Sequence, residues 1–200
     1  VLVVDDGSSD DTSARAAAAG ARVIRHASNR GKGAALWSGL QEALGTAPGG
    51  PGWVVVLDAD GQHDPADIPR LVEAARRTGA RIVVGSRMDD PTGMPPVRYL
   101  TNRYTSWRVS RFAGQSIPDS QCGYRLIHRS LLAVWQPQTS NFDTESEMLI
   151  VAARAGLRLA SAPVRTIYLQ TERRSRIHPV RDTIRFFAML RRLRRAAGRR

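Results

Sequence analysis

Two carboxylates, Asp58 and Asp60, stand two positions apart at the end of the apolar run Trp53–Leu57. At a strand end, that spacing projects both side chains to the same side. Two hard oxygen donors so placed suit Mg²⁺ or Mn²⁺, with a substrate diphosphate filling the remaining positions. Such a cation acts as a Lewis acid and offsets charge on a departing diphosphate. The competing reading is a solvated acidic turn capping a helix that starts at Pro65. Asp5-Asp6, closing the run Val1–Val4, offers acceptors for a ribose hydroxyl or a base N–H, or forms a turn with no ligand. Asn29-Arg30-Gly31-Lys32-Gly33 sets two cations and two permissive glycines ahead of a helix N-terminus. That is an anion site around Arg30 and Lys32, or a plain flexible loop. It is not a Walker A loop, because no Ser or Thr follows Lys32, nor a complete dinucleotide fingerprint.

The elements that position these residues are short apolar strands alternating with helical patterns. Strands are expected at 1–4, 21–25, 53–57, 80–85, 124–128 and 158–164. Helices are expected from an Asp10 or Asp11 cap to about Ala19, and over 34–44, 65–77, 97–112 and 142–155. The alternation predicts an α/β layer architecture with a largely parallel sheet. Three of the first four strands end in polar clusters, at Asp5-Asp6, Asp58-Ala59-Asp60 and Ser86-Arg87. Ligands of open α/β sheets bind outside the carboxyl ends of the strands, so these clusters should meet along one edge.

Composition narrows the function classes. The formal net charge is +12, but residues 173–200 hold eleven Arg and one Asp. That leaves +2 for residues 1–172, a nearly neutral body that argues against a nucleic-acid-binding module and leaves an anionic-surface binder as the non-catalytic reading. The single Cys122 excludes an intrachain disulfide and a multi-cysteine zinc site; it reads as core filler. Runs such as Trp53–Leu57 are too short to cross a bilayer. The chain opens in Val1-Leu2-Val3-Val4 without Met, as if a strand and helix precede it, and a membrane region beyond Arg200 stays open. From Val180, the residues Val180, Ile184, Phe187, Leu190 and Leu193 recur at helical spacing among arginines. The chain therefore divides into a body, 1–172, and a basic amphipathic segment, 173–200. That segment is either a membrane-surface element or a helix packed on the body.

Val3-Val4-Asp5-Asp6-Gly7-Ser8-Ser9-Asp10-Asp11-Thr12, Asn29 to Ala35, Asp58 to His63 and Gly85-Ser86-Arg87 occur in one order. In that order and separation the chain resembles family 2 glycosyltransferases of the GT-A fold, a Rossmann-like, mostly parallel sheet between helices. Asp119-Ser120-Gln121-Cys122-Gly123-Tyr124-Arg125, and Phe142 followed by Glu145 and Glu147, are similar to the dolichol-phosphate (polyprenyl-phosphate) mannose or glucose synthases. The first strand of that family, with its Pro-x-Tyr-Asn-Glu type motif, has no counterpart here, so part of the nucleotide pocket is expected outside these residues.

The resemblance implies that Asp5 and Asp6 contact the nucleoside, and that Asp58 lies near ribose and diphosphate. It puts Asp60 and Gln62 on the metal, Arg87 and Arg98 toward acceptor phosphate or donor diphosphate, and Asp119 near the sugar. Ser175-Arg176 falls where the subgroup has a Ser-Lys pair near the phosphates. The implied reaction is an inverting displacement at the anomeric carbon of a nucleotide-sugar, GDP-mannose or UDP-glucose. A polyprenyl-phosphate acceptor is already ionised and needs only positive charge from Arg87, Arg98, Arg176 and the metal. A hydroxyl acceptor needs a base, for which Asp119 is the candidate. A soluble family 2 enzyme with such an acceptor is the alternative, and a nucleotidyltransferase a more distant one. The expected location is cytoplasmic, at the cytoplasmic face of a membrane. Glu145 and Glu147, two apart on a helix, do not share a face, and Glu147 is the one expected in the site. His63 reads as a polar loop residue, and Trp37, Trp53, Trp107 and Trp135 as core.

Overall fold

The computed structural model describes residues 1–45, 50–139, 141, 143–167 and 179–197. β1 (Leu2–Asp5) and β2 (Arg22–Arg25) pair in parallel, with Leu2 opposite Arg22 and Asp5 opposite Arg25. Helix α1 (Thr12–Ala18) connects them. Helix α2 (Lys32–Leu44) crosses back over β1, closely enough that a Cβ on Gly39 would lie 3.1 Å from Val4 Cγ2. β3 (Trp53–Val56) leads through a 3-10 turn, Pro65–Asp67, into α3 (Ile68–Thr78). Asp64 caps that turn by accepting the Ala66 N–H, and Gly79 ends α3 in the left-handed conformation that glycine tolerates.

The second sheet has the order β3-β5-β4-β6, where β4 is Ile82–Ser86, β5 is Arg125–His128 and β6 is Leu159–Pro163. β4 and β6 are parallel, but β5 is antiparallel to both β3 and β4. The expected largely parallel sheet is therefore mixed, and hydrogen-bonded in two pieces. The reason lies in the connection before β5. Helix α4 (Pro96–Ala113) ends at Gly114, and the chain then doubles back along it. Ser110 Oγ accepts the Ile117 N–H (2.9 Å), and Ser106 Oγ accepts the Ser120 N–H (2.8 Å). β5 thus starts at the edge where β4 ended. An apolar run has no intrinsic direction; these two serines set it.

Because β3 and β4 both oppose β5, they run the same way and their carboxyl ends share an edge. The core lies beneath that edge. β4 is buried throughout, and Leu40, Leu44, Leu71, Met148, Leu149 and Ile150 pack around it with Ile127. Helix α5 (Asp143–Arg154) is buried along most of its length, between α4 and the last helix, α6 (Pro179–Ala197).

Helix α6 packs on α5 through Phe186, Met189, Leu190 and Leu193, at the i, i+3, i+4, i+7 spacing of one face. Of the stripe expected from the sequence, Leu190 and Leu193 are in this face, while Ile184 (64% exposed) and Phe187 (36%) lie outside it. Arg192 donates to Glu147 (2.9 Å), and Arg154 to the Leu193 carbonyl (2.9 Å), which sets the helix's rotation. No described helix is long and apolar enough to cross a membrane. Leu190→Ala should cost about 2–5 kcal/mol in urea unfolding, whereas Ile184→Ala should stay within about 0.5 kcal/mol.

Candidate active site at the carboxyl edge of the sheet

Asp58 leaves the end of β3 and meets Lys32, the first residue of α2. Lys32 Nζ lies 2.9 and 3.0 Å from the two Asp58 oxygens and 3.2 Å from Glu145 Oε1. Burial alone would pull the Lys32 pKa down, but Glu145 and Asp58 outweigh it and the net shift is upward. For Asp58, burial pushes up and Lys32 more than compensates, so its pKa is lowered. Gly123 seals this cluster: a Cβ there would lie 2.5 Å from Asp58 Oδ2.

Behind Glu145 stands Arg125, fully buried at the start of β5. It donates to the carbonyls of Cys122 (2.9 Å), Ser120 (3.0 Å) and Glu145 (3.2 Å), and its Nη2 lies 3.8 Å from Glu145 Oε1. The sequence motif contains Arg125 but assigns it no role. The one signal is a cation directly ahead of the apolar pair Leu126-Ile127 in an expected strand. The expectation that Glu147 faces the site is corrected. Glu145 joins the cluster, and Glu147 is buried elsewhere, accepting from Gln138 N–H, Thr139 Oγ1 and Arg192. Both are on a helix with little solvent-facing surface, so the outward face that would have separated them does not exist.

Asp60 uses Oδ1 to accept the Gln62 N–H (3.0 Å), and the Gln62 carbonyl accepts from Ile167 N–H (3.0 Å). His63 is buried, and its Nδ1 has no hydrogen-bond partner. Burial lowers its pKa, against the pull of Asp58 and Asp60, which both lie close enough to act on it. Among the described residues, no three His, Cys, Asp or Glu side chains cluster as a metal cage. Asp58 and Asp60 carry the hard oxygen donors that a cation such as Mg²⁺ takes alongside a bound diphosphate, while the Lys32 ammonium now contacts both Asp58 oxygens. Both residues are partly exposed, and a buried nitrogen without a partner lies beside them.

Asp5 faces its own loop, and Asp6 the turn before α2. Asp5 accepts from Ser8 N–H (2.8 Å) and Ser13 Oγ, which hold its pKa down at about 2. Asp6 accepts from Arg30 N–H (2.9 Å), Gly31 N–H (2.8 Å) and His26 Nδ1 (2.7 Å). Burial raises the Asp6 pKa, but these bonds prevail and the net shift is downward. Asp6 thus ties β1 to the turn before α2, and so indirectly places Lys32. Arg30 contributes its backbone; its side chain is exposed.

Arg87, just past β4, is buried against Asp119 in a two-pronged pair, Nε to Oδ2 at 2.7 Å and Nη2 to Oδ1 at 2.9 Å. Asp119 is fully buried and also accepts the N–H groups of Arg87 and Gln121. Both of its oxygens are engaged by Arg87, and the pair holds that guanidinium in place. Arg98 is exposed in the first turn of α4 and takes part in none of these pairs. Ser175 and Arg176 lie outside the described residues. Cys122 is buried, and burial pushes its thiol up to about 11, as befits core filler. Trp135 is core, and Trp37 and Trp53 are half-buried, but Trp107 is corrected to exposed: the buried side of α4 is lined by small residues instead.

The class follows from this frame. It is a GT-A fold, with acidic and basic groups gathered at the carboxyl edge of an α/β sheet. The glucosyl-3-phosphoglycerate synthase of Mycobacterium tuberculosis, solved with phosphoglyceric acid, superposes with a TM-score of 0.69 at 26% identity, over 96% of this chain and 68% of that one. Solved with Mn²⁺ and UDP-glucose, the same enzyme gives 0.59 at 26% identity, over 95% and 64%. Residues 1–135 match the family described as Glycosyl transferase family 2, and the chain belongs to it.

A UDP-N-acetylglucosamine–dolichyl-phosphate N-acetylglucosaminyltransferase of Methanococcus voltae is 33% identical over 74% of this chain and 60% of its own length. A polyprenol monophosphomannose synthase of Mycolicibacterium smegmatis is 37% identical over 66% of this chain and 52% of its own. The chain therefore spans between half and two thirds of these two relatives.

Lys32→Met leaves Asp58 and Glu145 without their shared cation; unfolding should show a loss of about 1–3 kcal/mol, only partly restored by adding Glu145→Gln, which removes one of the two unpaired carboxylates. The folded Asp5 pKa is depressed from 3.8 to about 2. Its contribution to stability is therefore complete above pH 3.8 and is lost as pH falls toward about 2. Ser13→Ala should move the titration back toward 3.8, read by carboxyl-carbon NMR.

Proposed function

We propose that this chain carries the catalytic site of an inverting, metal-dependent glycosyltransferase. In this reading it passes a hexose from a nucleoside-diphosphate sugar to a polyprenyl phosphate at the cytoplasmic face of a membrane. The observation that carries the choice of acceptor is the Arg87–Asp119 pair. The one carboxylate expected to serve as base toward a hydroxyl is buried and committed to a guanidinium. A phosphate oxygen is ionised at neutral pH and attacks without a base, so a site whose candidate base is already committed suits it. The activities of the archaeal and mycobacterial relatives, as their names give them, support the same acceptor class. Mn²⁺ in the synthase complex supports a divalent cation.

Asp58, Asp60 and Gln62 would hold the cation, and the Gln62 N–H also fixes the Asp60 carboxylate. When bound, the cation neutralises charge on the leaving diphosphate. Lys32 then supplies a second positive charge at the same edge, and Asp6 keeps the loop before it in place. Arg87, held by Asp119, fixes the loop that leads to α4. A second reading, a hydroxyl acceptor such as phosphoglyceric acid, is favoured by the phosphoglyceric acid bound to the structurally similar mycobacterial synthase.

The experiment offers UDP-glucose, GDP-mannose and UDP-N-acetylglucosamine with Mn²⁺, and either detergent-dispersed polyprenyl phosphate or phosphoglyceric acid. Transfer to polyprenyl phosphate is expected, falling on the order of 100-fold or more in Asp60→Ala. Transfer to phosphoglyceric acid alone establishes the second reading, and undiminished turnover in Asp60→Ala removes the metal.

A further inference from the structure

Helix α4 exposes large apolar residues that a water-facing helix normally buries. Its inner face buries Asn102, Ser106, Val109 and Ala113, which are small or polar. Its outer face exposes Val97 (77%), Leu100 (64%), Tyr104 (49%) and Trp107 (55%). Those four positions, spaced i, i+3, i+7 and i+10, form one stripe along the helix. A water-facing helix keeps such residues inside, and a contiguous exposed apolar patch marks an interaction surface.

The stripe does not end with α4. The Arg108 guanidinium lies 5.9 Å from the Trp107 ring centre and 5.6 Å from that of Phe187 on α6. Half-exposed Phe187 and exposed Ile184 thereby extend the apolar surface onto the second helix. Cations surround it. Helix α4 carries Arg98, Arg103, Arg108 and Arg111 and no acidic residue. Helix α6 has six Arg against one Asp.

From this we infer that the outer face of α4, continued by Ile184 and Phe187, is a docking surface for an anionic lipid bilayer. Resting on the acceptor class proposed above, it seats the site beside its lipid substrate. The chemistry matches at each level. Leu100 and Val97 enter the acyl boundary, while Tyr104 and Trp107, apolar rings with a polar edge, suit the headgroup level. The flanking arginines meet lipid phosphates. A second copy of the chain is a poor occupant, since a two-fold contact would bring two strongly arginine-rich arrays together. Placement also fits. α4 begins nine residues after Arg87, and its inner side holds Ser120, next to Asp119, through Ser106. One side of the helix supports the Arg87–Asp119 pair, and the other meets the membrane.

The test is co-sedimentation of the chain with phosphatidylcholine vesicles, with and without about one third phosphatidylglycerol. The chain should pellet with the anionic vesicles, and Leu100→Ser/Tyr104→Ser/Trp107→Ser should lower the partition coefficient at least about tenfold. Trp107→Phe should keep binding but lose most of the tryptophan quenching by brominated lipid, which also serves if the triple variant folds poorly. Equal binding by the triple variant, no binding by the native chain, or a native dimer that the triple variant dissolves would each overturn the inference. Sugar transfer to a short, water-soluble isoprenyl phosphate should be the same in the triple variant. Vesicle binding without any transfer would leave the docking face standing and sink the acceptor assignment instead.

Discussion

Lys32 lies between two carboxylates from different parts of the chain, Asp58 at the end of β3 and Glu145 in α5. Arg125 of β5 stands behind Glu145, so charges alternate from half-exposed Asp58 to a fully buried guanidinium. Burying any one of these groups alone would be prohibitive; together each offsets the desolvation of the next. The array joins β3, α2, α5 and β5 at one edge. Its geometry depends on Gly123, which leaves room for Asp58, and on Gly33, whose absent side chain lets α2 approach Thr144. Asp6 and His26 add the last constraint by fixing the turn that delivers Lys32.

The same edge shows a division of labour among acidic residues that look alike in sequence. Asp5, Asp6 and Asp119 spend their oxygens on backbone N–H groups and on partners within the protein. They build loops. Asp58 and Asp60 remain partly exposed: both Asp58 oxygens meet the single Lys32 ammonium, and Asp60 spends Oδ1 on the Gln62 N–H. Holding Arg87 from both prongs, Asp119 turns a flexible side chain into a fixed one, and the Ser106–Ser120 bonds carry that order into α4. The serines are small because the helix must come close, and that closeness displaces the larger apolar residues of α4 to its outer side.

Helix α6 resolves a tension in the composition. Its arginines make the chain strongly basic, yet Phe186, Met189, Leu190 and Leu193 dock the helix on α5. Arg192 reaches inward to Glu147, so at least one of the basic residues is structural rather than a surface charge. What the docking leaves uncovered, Ile184 and Phe187, adjoins the exposed stripe of α4.

Element type and order were legible from the chain alone, because apolar periodicity and turn chemistry are local properties. The strands at Leu2–Asp5, Trp53–Val56 and Ile82–Ser86 lie where runs of β-branched residues predicted them, and Gly79 ends α3 as a left-handed cap. That the carboxyl ends of the Trp53 and Ile82 strands share an edge was also readable, but the pairing of Asp58 with Lys32 was not, since Lys32 read as part of an anion-binding loop. The direction of β5 was not, because it is set by Ser106 and Ser110 gripping a returning loop, a contact with no signature in an apolar run. Nor was the choice between Glu145 and Glu147, or the burial of Asp119 and the exposure of Trp107. Each depends on which neighbour occupies the facing surface, and that is known only once α4, α5 and α6 are packed together.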